Sequence, residues 1–380
     1  MPVDPALFDD DLKALKKRYG ADSIHNADEV LEVERIPVNS PSIMRITSGP
    51  NKSGQIVGGI PMGRVTRAYG APSTGKTRLA FDLIANAQQY RSERFPRGLS
   101  CCYWNVEKQF DPVHAAGFGI DIPALKIQEL DVIEDIAAAM ELMLRSVHLH
   151  VIDSASFANP LEELVGAQDK KNPEYQVQVG AHARAWKRAI NRIHHAMDKD
   201  ENLLFIIDHV GSKNVANGRA QVEEPLSGKR MAFRSDLSLH FKSGAWLYHD
   251  KRGNLVTKDK VVEETGSSPE GQKAADGQEI SVIVAKSRVC RPLRTATMRL
   301  DFRKSQFDTA FEYADFGIFY DEDGNLASRS GKPALITKSG NFYTPPGYDK
   351  ASNGMSQLCE RIAGDEILQK AIFTAMMKAT

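Results

Sequence analysis

The middle of the chain alternates between two spacings of hydrophobic residues. Short apolar runs typical of buried strands occupy residues 64–69, 100–106, 148–153 and 203–207. Between them, apolar residues recur every three or four positions, which predicts helices at residues 77–90, 133–145 and 181–197. Strands that alternate with helices favour an α/β fold with a mostly parallel, twisted, doubly wound sheet. In such a sheet ligands bind at the carboxyl ends of the strands.

The segments on either side of this core are more polar. Residues 9–19 predict a short basic amphipathic helix, and residues 36–61, rich in Pro, Ser and Gly, predict a loop. Two strands of an antiparallel extension are predicted at 279–285 and 297–302, after a polar insertion at 249–278. We therefore expect three parts: an N-terminal helix and tether (1–57), a core (58–345) and a small helical C-terminal tail (346–380).

Composition adds little about the partners of this chain. The 380 residues carry 49 basic and 49 acidic side chains, so any contact with a nucleic acid has to come from local patches. The four cysteines show no paired spacing, which is typical of reduced intracellular thiols rather than of a disulfide framework or a zinc site. No signal peptide or membrane-spanning run is evident at the N-terminus, so we expect a cytoplasmic protein.

The most specific motif is Gly-x-x-x-x-Gly-Lys-Thr at residues 70–77, between a predicted strand and a predicted helix. Such a loop turns its backbone N–H groups around a phosphate, while the helix N-terminus adds the positive end of its dipole. The lysine supplies a cation, and the threonine hydroxyl is a ligand for Mg²⁺. The motif alone predicts binding of ATP or GTP, and the expected contacts with the nucleotide are Gly70, Ala71, Pro72, Ser73, Thr74, Gly75, Lys76, Thr77 and Arg78.

Two carboxylates are expected at the same edge of the sheet. Asp153 ends a predicted strand and is the candidate second ligand of Mg²⁺. Glu107 follows the strand after the predicted phosphate-binding loop and helix, where it could orient or deprotonate a water molecule. Each has an alternative interpretation. Asp153 could be an ordinary residue at a strand end or a helix cap, and Glu107 would carry no information if it stood alone.

Beyond the phosphate-binding loop, the chain resembles the RecA recombinase family over about residues 10–345. The similarity rests on stretches around the core strands. These are Gly59-Ile60-Pro61-Met62-Gly63-Arg64, Val106-Glu107-Lys108-Gln109-Phe110-Asp111-Pro112, Asp153-Ser154, Ser227-Gly228-Lys229-Arg230-Met231-Ala232-Phe233 and Ala285-Lys286-Ser287-Arg288. The resemblance implies a RecA-type P-loop core and an N-terminal helix that docks on a neighbouring protomer. The helix could equally fold back on its own core.

Individual roles also follow from the resemblance. Asp111 and His114 would contact the adenine, and Phe233 would lie at the interface between subunits. Lys286 and Arg288 match the basic residues that reach the nucleotide of a neighbouring subunit. Isolated surface cations remain the alternative for that pair.

His209 occupies the position of the family's γ-phosphate sensor. A histidine there, together with Lys286 and Arg288, resembles the phage UvsX-type branch. We hypothesise that His209 senses the γ-phosphate and orders residues 210–229, although it could instead be a buried histidine with satisfied hydrogen bonds.

Two features depart from the bacterial pattern. Pro72 replaces an acidic residue within the phosphate-binding loop, which puts that residue's contact across the subunit interface in doubt. The C-terminal residues carry no acidic run, so we expect this protein to lack the regulatory acidic tail of the bacterial proteins.

Polar stretches at 159–180 and 210–229 each follow a core strand and are the expected DNA-binding loops. Lysine and arginine give affinity for phosphates without sequence preference, although a solvated surface loop is the alternative. The expected DNA contacts are Lys170, Lys171, Lys213, Arg219, Lys229 and Arg230.

The family resemblance, with the predicted sites, implies an ATP-dependent, Mg²⁺-dependent homologous recombinase. It would form a helical filament on single-stranded DNA, pair that DNA with a homologous duplex and exchange strands, with mediator and single-strand-binding proteins as further partners. A RecA-core DNA helicase and an ATP-gated DNA-binding scaffold are the rival interpretations. Only about 50 residues precede the core, which is short for the separate N-terminal domain of a helicase.

Overall fold

The computed structural model describes residues 5–19, 33–51, 53–168, 180–198, 201–214, 221–251, 253–265 and 274–379. The chain divides into two compact units, Met1–Val33 and Glu34–Thr380. The described part of the first unit is helix α1 (Pro5–Tyr19), whose last turn carries Lys16, Lys17 and Arg18. The tripartite division at 57/58 and 345/346 stays a prediction.

The second unit contains the remaining helices and all the strands that the structure describes. The helices are α2 (Pro41–Ile46), α3 (Lys76–Gln89), α4 (Pro112–Ala116), α5 (Ile133–Met143), α6 (Leu161–Gln168), α7 (Ala181–Ala196), α8 (Lys229–Arg234), α9 (Lys258–Thr265), α10 (Thr309–Phe319), α11 (Ala327–Ser330), α12 (Gly354–Ala363) and α13 (Glu366–Lys378). The strands before α8 are β1 (Arg35–Ile36), β2 (Gly49–Pro50), β3 (Ile56–Val57), β4 (Ile60–Pro61), β5 (Val65–Gly70), β6 (Cys101–Asn105), β7 (Lys126–Gln128), β8 (Leu149–Asp153), β9 (Leu203–Asn214) and β10 (Gln221–Pro225). Those after α8 are β11 (Leu237–His249), β12 (Leu255–Thr257), β13 (Gly277–Ser287), β14 (Thr295–Asp301), β15 (Gln306–Phe307), β16 (Thr337–Ser339), β17 (Phe342–Thr344) and β18 (Ser352–Asn353).

One large mixed sheet organises the second unit. Its main order is β15-β14-β13-β11-β5-β9-β8-β6-β7, with β10 added to β9 and β12 to β11. The strands from β11 to β7 are parallel to their neighbours along this path. The strands β11, β13, β14 and β15 pair antiparallel. The predicted α/β fold with a mostly parallel core and an antiparallel extension is therefore confirmed.

Both faces of the sheet are covered, as alternating side chains require. In β9, Phe205 and Ile207 point into one hydrophobic cluster, which includes α3. Leu204 and Ile206 point into the other, which includes α5 and α7. A third cluster joins α10, α12 and α13 around β17.

The structure corrects several predictions of loops. The sequence predicts a loop over residues 36–61, but Pro41–Ile46 form a helix in which the Ser40 side chain accepts a hydrogen bond from the Ile43 amide. Six residues are too few to show helical periodicity in a sequence. Helix α6 likewise lies within 159–180, and β12 and α9 lie within 249–278. Within the stretch 210–229, residues 210–214 continue β9, and Gln221–Pro225 form β10, which pairs antiparallel with them.

Candidate nucleotide-binding site

The loop between β5 and α3 has a backbone that depends on its glycines. Gly70 has a φ of 154°, and a Cβ at this position would lie 2.1 Å from the Phe241 carbonyl oxygen. Gly75 precedes α3 with a φ of 85°, in the left-handed region that favours glycine. The helix therefore begins without a side-chain cap, and its first N–H groups remain free to bind an anion.

Lys76 lies inside this loop. Its Nζ donates to the carbonyl oxygens of Gly70, at 3.0 Å, and Ala71, at 2.6 Å. Burial lowers the pKa of Lys76 to about 8, although the carboxylates of Asp153 and Glu107 act in the opposite direction. The ammonium group is thus a desolvated cation held at the centre of the loop, which is the placement that a phosphate-binding lysine needs.

Asp153 joins the loop to the neighbouring strands. Thr77 Oγ1 donates to Asp153 Oδ2 at 2.8 Å, and the Tyr103 hydroxyl donates to the same oxygen at 2.6 Å. Burial raises the pKa of Asp153, partly offset by the hydrogen bonds from Tyr103 and Thr77. Asp153 ends β8 as predicted, and the sheet places its carboxylate beside the first turn of α3.

This pair of oxygen ligands suits Mg²⁺. The ion prefers oxygen and keeps several waters, so a threonine hydroxyl and one carboxylate suffice when a substrate's phosphates supply further ligands. Within the described ranges, no group of three or more His, Cys, Asp or Glu side chains could hold a metal ion by itself. Thr77 and Asp153 would therefore hold Mg²⁺ together with the phosphates of a nucleotide.

Glu107 and His209 meet at the same edge of the sheet. His209 Nε2 lies 3.2 Å from Glu107 Oε1, within hydrogen-bonding distance. Burial alone would raise the pKa of Glu107, but the hydrogen bond from His209 and the charge of Lys76 help to bring it below its usual value. Glu107 is consequently ionised at neutral pH, as a base acting on water must be. The His209 ring packs edge-on against Phe157, with 5.6 Å between centroids.

A buried ion pair lies directly beneath His209. Arg67 Nε donates to Asp208 Oδ2 at 3.1 Å, and both side chains are fully buried. Asp208 also accepts hydrogen bonds from the hydroxyls of Ser156, at 2.6 Å, and Ser227. Ser156 in turn accepts from the His209 amide at 2.7 Å. The network joins β5, the strand before the phosphate-binding loop, to Ser227 in the segment that follows β10.

Lys286 and Arg288 lie at the opposite edge of the sheet. In the sheet, Lys286 lies opposite Ser238, which lies opposite Arg67. The Arg288 amide donates to the Asp236 carbonyl oxygen, and the Asp236 amide donates to the Val65 carbonyl oxygen. A strand rises about 3.3 Å per residue, so Arg288 is roughly 16 Å from the level of the phosphate-binding loop.

The Phe233 carbonyl accepts from Lys286 Nζ at 2.8 Å and from Arg288 Nη2 at 3.3 Å. The Phe233 side chain itself is 70% exposed. Burial and the charge of Arg288 lower the pKa of Lys286. These three residues form one surface patch, which we call the distal patch.

The residues expected around the adenine lie near one another. Asp111 Oδ1 caps α4 by accepting hydrogen bonds from the amides of Val113 and His114. The His114 ring packs edge-on against Phe81 and Phe118. Phe118 and Arg78 line a cavity of about 230 Å³.

The predicted DNA contacts are described only in part. Lys170, Lys171 and Arg219 lie outside the described residues. Lys213 pairs through its backbone with Val222, and Lys229 and Arg230 form the first turn of α8. Their roles, like those of every residue in this site, stay predictions.

Sequence reasoning missed three residues of this site: Tyr103, Arg67 and Ser156. Arg67 left a signal, because an arginine in the middle of a buried strand requires a partner. The other two left none, since a tyrosine in a strand and a serine after one are common.

The glycine loop between strand and helix, the buried lysine and the threonine–aspartate pair define the class of P-loop nucleotide-binding proteins. Residues 6–306 match the sequence profile of the family described as RecA N-terminal domain. The chain therefore belongs to the RecA family.

Curated relatives agree with this assignment. The chain is 27% identical over 342 residues to Protein RecA of Aquifex pyrophilus, covering 88% of this chain and 80% of that protein. It is 26% identical over 379 residues to Protein RecA of Chlorobaculum tepidum, covering 97% and 92%. Among the helices in the described ranges, none has the length and hydrophobicity needed to cross a membrane.

Proposed function

We propose that this protein is an ATP-dependent homologous recombinase that forms a filament on single-stranded DNA and exchanges strands with a homologous duplex. The observation that carries the proposal is the separation of the distal patch from the protein's own nucleotide loop. Along the strand direction, Lys286 lies about 10 Å and Arg288 about 16 Å from the level of Gly70, toward the other edge of the sheet. Cations in that position serve a nucleotide held by another protomer.

Assembly follows from this division of the active site. One protomer supplies Lys76, Thr77, Asp153 and Glu107, and its neighbour supplies the distal patch. Such a contact joins two different surfaces, so it propagates as a helical filament unless the rotation closes a ring. The exposed ring of Phe233 gives this contact an apolar anchor. Docking of α1 on a neighbouring protomer is part of the same proposal.

The chemistry proposed for the composite site is hydrolysis of the terminal phosphate. Glu107, which is ionised and hydrogen-bonded to His209, orients and deprotonates the attacking water. Lys76 and the first turn of α3 hold the phosphates. Lys286 and Arg288 neutralise the charge that develops on the transferred group. Mg²⁺ at Thr77 and Asp153 would supply a further positive charge.

Coupling between ATP and DNA is proposed to run through the buried ion pair. His209 touches Glu107, and its amide binds Ser156, which binds Asp208. Asp208 binds Ser227 at the end of the expected second DNA-binding loop. A γ-phosphate that moves His209 would thus shift the segment that carries Lys213, Arg219, Lys229 and Arg230. Linkage requires the effect to be reciprocal, so DNA also raises affinity for ATP.

The narrower assignment to a phage UvsX-type branch is also a proposal. It rests on His209, Lys286, Arg288 and Pro72, whereas the relatives described above are bacterial RecA proteins. Mediator proteins, single-strand-binding proteins and a cytoplasmic location belong to the same proposal.

Strand exchange between labelled DNA substrates tests the function directly. We expect exchange with a homologous duplex and none with a heterologous duplex, in a reaction that requires ATP and Mg²⁺. The Glu107→Gln variant should still bind DNA with ATP but hydrolyse almost none of it. Unwinding of both duplexes would instead indicate a helicase. Binding of DNA without exchange or turnover would indicate a scaffold.

A further inference from the structure

A cavity of about 790 Å³ lies between the turn that follows β13 and the C-terminal helices. Its walls come from α2, from the β13–β14 turn, and from residues around α11 and the end of α13. Among the described residues that line it, none is Asp or Glu. The basic side chains that line it are Arg45, Arg291, Arg294, Arg329 and Lys378. We call it the basic cavity.

Two of these cations are held rigidly. Arg45 Nη2 donates to the Thr295 carbonyl oxygen at 2.7 Å, and its guanidinium lies 5.7 Å from the centre of the Tyr320 ring. Arg294 Nη1 donates to the carbonyl oxygen and the hydroxyl of Ser48, each at 3.0 Å. Their orientation is therefore set before any ligand binds, which reduces the entropy lost on binding.

Within the described part of the protein, ion pairs neutralise at most one of these five cations, Lys378. In those ranges no ion pair involves Arg45, Arg291, Arg294 or Arg329, and Lys378 lies 3.9 Å from Asp323. Burial lowers the pKa of both Arg45 and Arg294, so part of their hydration is already lost. Partly buried charges normally pair with opposite charges. Asp315 acts on Arg45 electrostatically but forms no ion pair with it within the described ranges, so the missing close anion is the main reason to expect a ligand here.

The rim of the basic cavity is apolar. Leu293 is 76% exposed and has a φ of 63°, an unusual conformation for a leucine. Pro292 and Leu326 also line the cavity. A ligand that fills this site would therefore contact guanidinium groups and aliphatic side chains together.

The basic cavity is separate from the phosphate-binding loop. The last residue of β13, Ser287, pairs with Leu237, and Leu237 pairs with Thr66 near the start of β5. The turn at 291–294 therefore lies at the edge of the sheet where β5 begins, whereas the phosphate-binding loop lies at the edge where β5 ends. The Mg²⁺ ligands proposed above do not reach this site.

We propose that the basic cavity binds an acidic peptide segment of a partner protein, one that carries carboxylates next to a leucine-like side chain. Arginine pairs with carboxylates through two parallel hydrogen bonds, and the apolar rim fits an aliphatic side chain. Surfaces that bind duplex DNA are strongly polar and bury about 600–2,500 Å² of protein surface, whereas this site is a concave cavity that apolar side chains also line. A cavity of this volume falls within the range of about 300–1,000 Å³ typical of compact ligand sites.

Fluorescence anisotropy with a labelled synthetic peptide tests the proposal. The probe contains four aspartates followed by two leucines, and the full-length protein is used without nucleotide or DNA. The test variant combines Arg291→Glu with Arg329→Glu, because both side chains are exposed. The matched control combines Arg145→Glu with Arg188→Glu, which makes the same charge change on exposed arginines elsewhere.

We expect saturable binding that weakens with salt and falls on the order of tenfold or more in the test variant. The control should bind like the natural protein. A peptide with asparagine in place of aspartate, or with serine in place of leucine, should bind more weakly. Equal loss in the control, or no binding at all, would overturn the proposal. So would displacement of the peptide by inorganic phosphate or by a short DNA duplex at concentrations equal to those of unlabelled peptide.

Discussion

Arg67 on β5 pairs with Asp208 on β9 across 141 residues of sequence, with 3.1 Å between Nε and Oδ2. Neither side chain reaches solvent. The pair lies between the phosphate-binding loop, which begins three residues after Arg67, and His209, which follows Asp208. It therefore supports both sides of the nucleotide site from beneath the sheet edge.

Replacing Arg67 with methionine should destabilise the protein strongly. Asp208 would remain as a buried carboxylate with only hydroxyl partners, and breaking such a pair costs about 3–5 kcal/mol. Urea denaturation measures the change in the free energy of unfolding. Adding Asp208→Asn to the same chain removes the buried charge and should restore much of that loss. A loss below about 1 kcal/mol for the single variant would show that the pair contributes little.

The Glu107→Gln variant should separate nucleotide binding from hydrolysis. The amide keeps the shape of the side chain but cannot accept a proton, so hydrolysis should fall by about 10²–10⁴-fold. Affinity for ATP should change little, because Lys76 and the loop amides hold the phosphates. Steady-state hydrolysis and fluorescent nucleotide binding provide the two measurements. Glu93→Gln, at an exposed carboxylate, is the control and should leave both unchanged.

Mixing two inactive variants should restore activity if the site is shared between protomers. A Glu107→Gln protomer retains Arg288, and an Arg288→Ala protomer retains Glu107. Random assembly of equal amounts in a head-to-tail filament makes about a quarter of the sites complete. ATP hydrolysis on single-stranded DNA is the measurement.

The companion mixture of Glu107→Gln with Lys76→Ala is the control for that experiment. Both residues belong to the same protomer's half of the site. A complete site therefore needs one protomer that carries both Glu107 and Lys76, and neither variant does. Activity should therefore stay near zero. Normal hydrolysis by Arg288→Ala alone would contradict the shared site.

Glu312 should make stability depend on pH. Burial raises its pKa to about 7 although Oε2 accepts hydrogen bonds from Ser40 and the Ser42 amide. The folded protein then binds a proton that the unfolded chain has already released, so stability should fall as pH rises from about 4.5 to about 7. Thermal melts of the natural protein and of Glu312→Gln across this interval measure the effect. The slope should flatten in Glu312→Gln but not in Glu322→Gln, an exposed control.

Sequence reasoning reached much of the fold because its signals are local. The buried runs at β8 and β9 and the helices α3 and α7 show their periodicity within one element. It failed at α2 and at β10, because six residues or fewer give no reliable period and their stability depends on contacts made elsewhere. The strand-end position of Asp153 was predictable, whereas the hydroxyl of Tyr103 that binds it was not.

The sequence by itself determined the phosphate-binding loop, since its glycines, lysine and threonine act through the backbone of eight consecutive residues. It also determined the alternation of strands and helices, which sets the class of fold. Only the tertiary structure decided that Arg67 meets Asp208, that Lys286 and Arg288 lie far from their own loop, and that five cations surround one cavity. These relationships depend on strand order and register, which bring together residues that are distant in the chain.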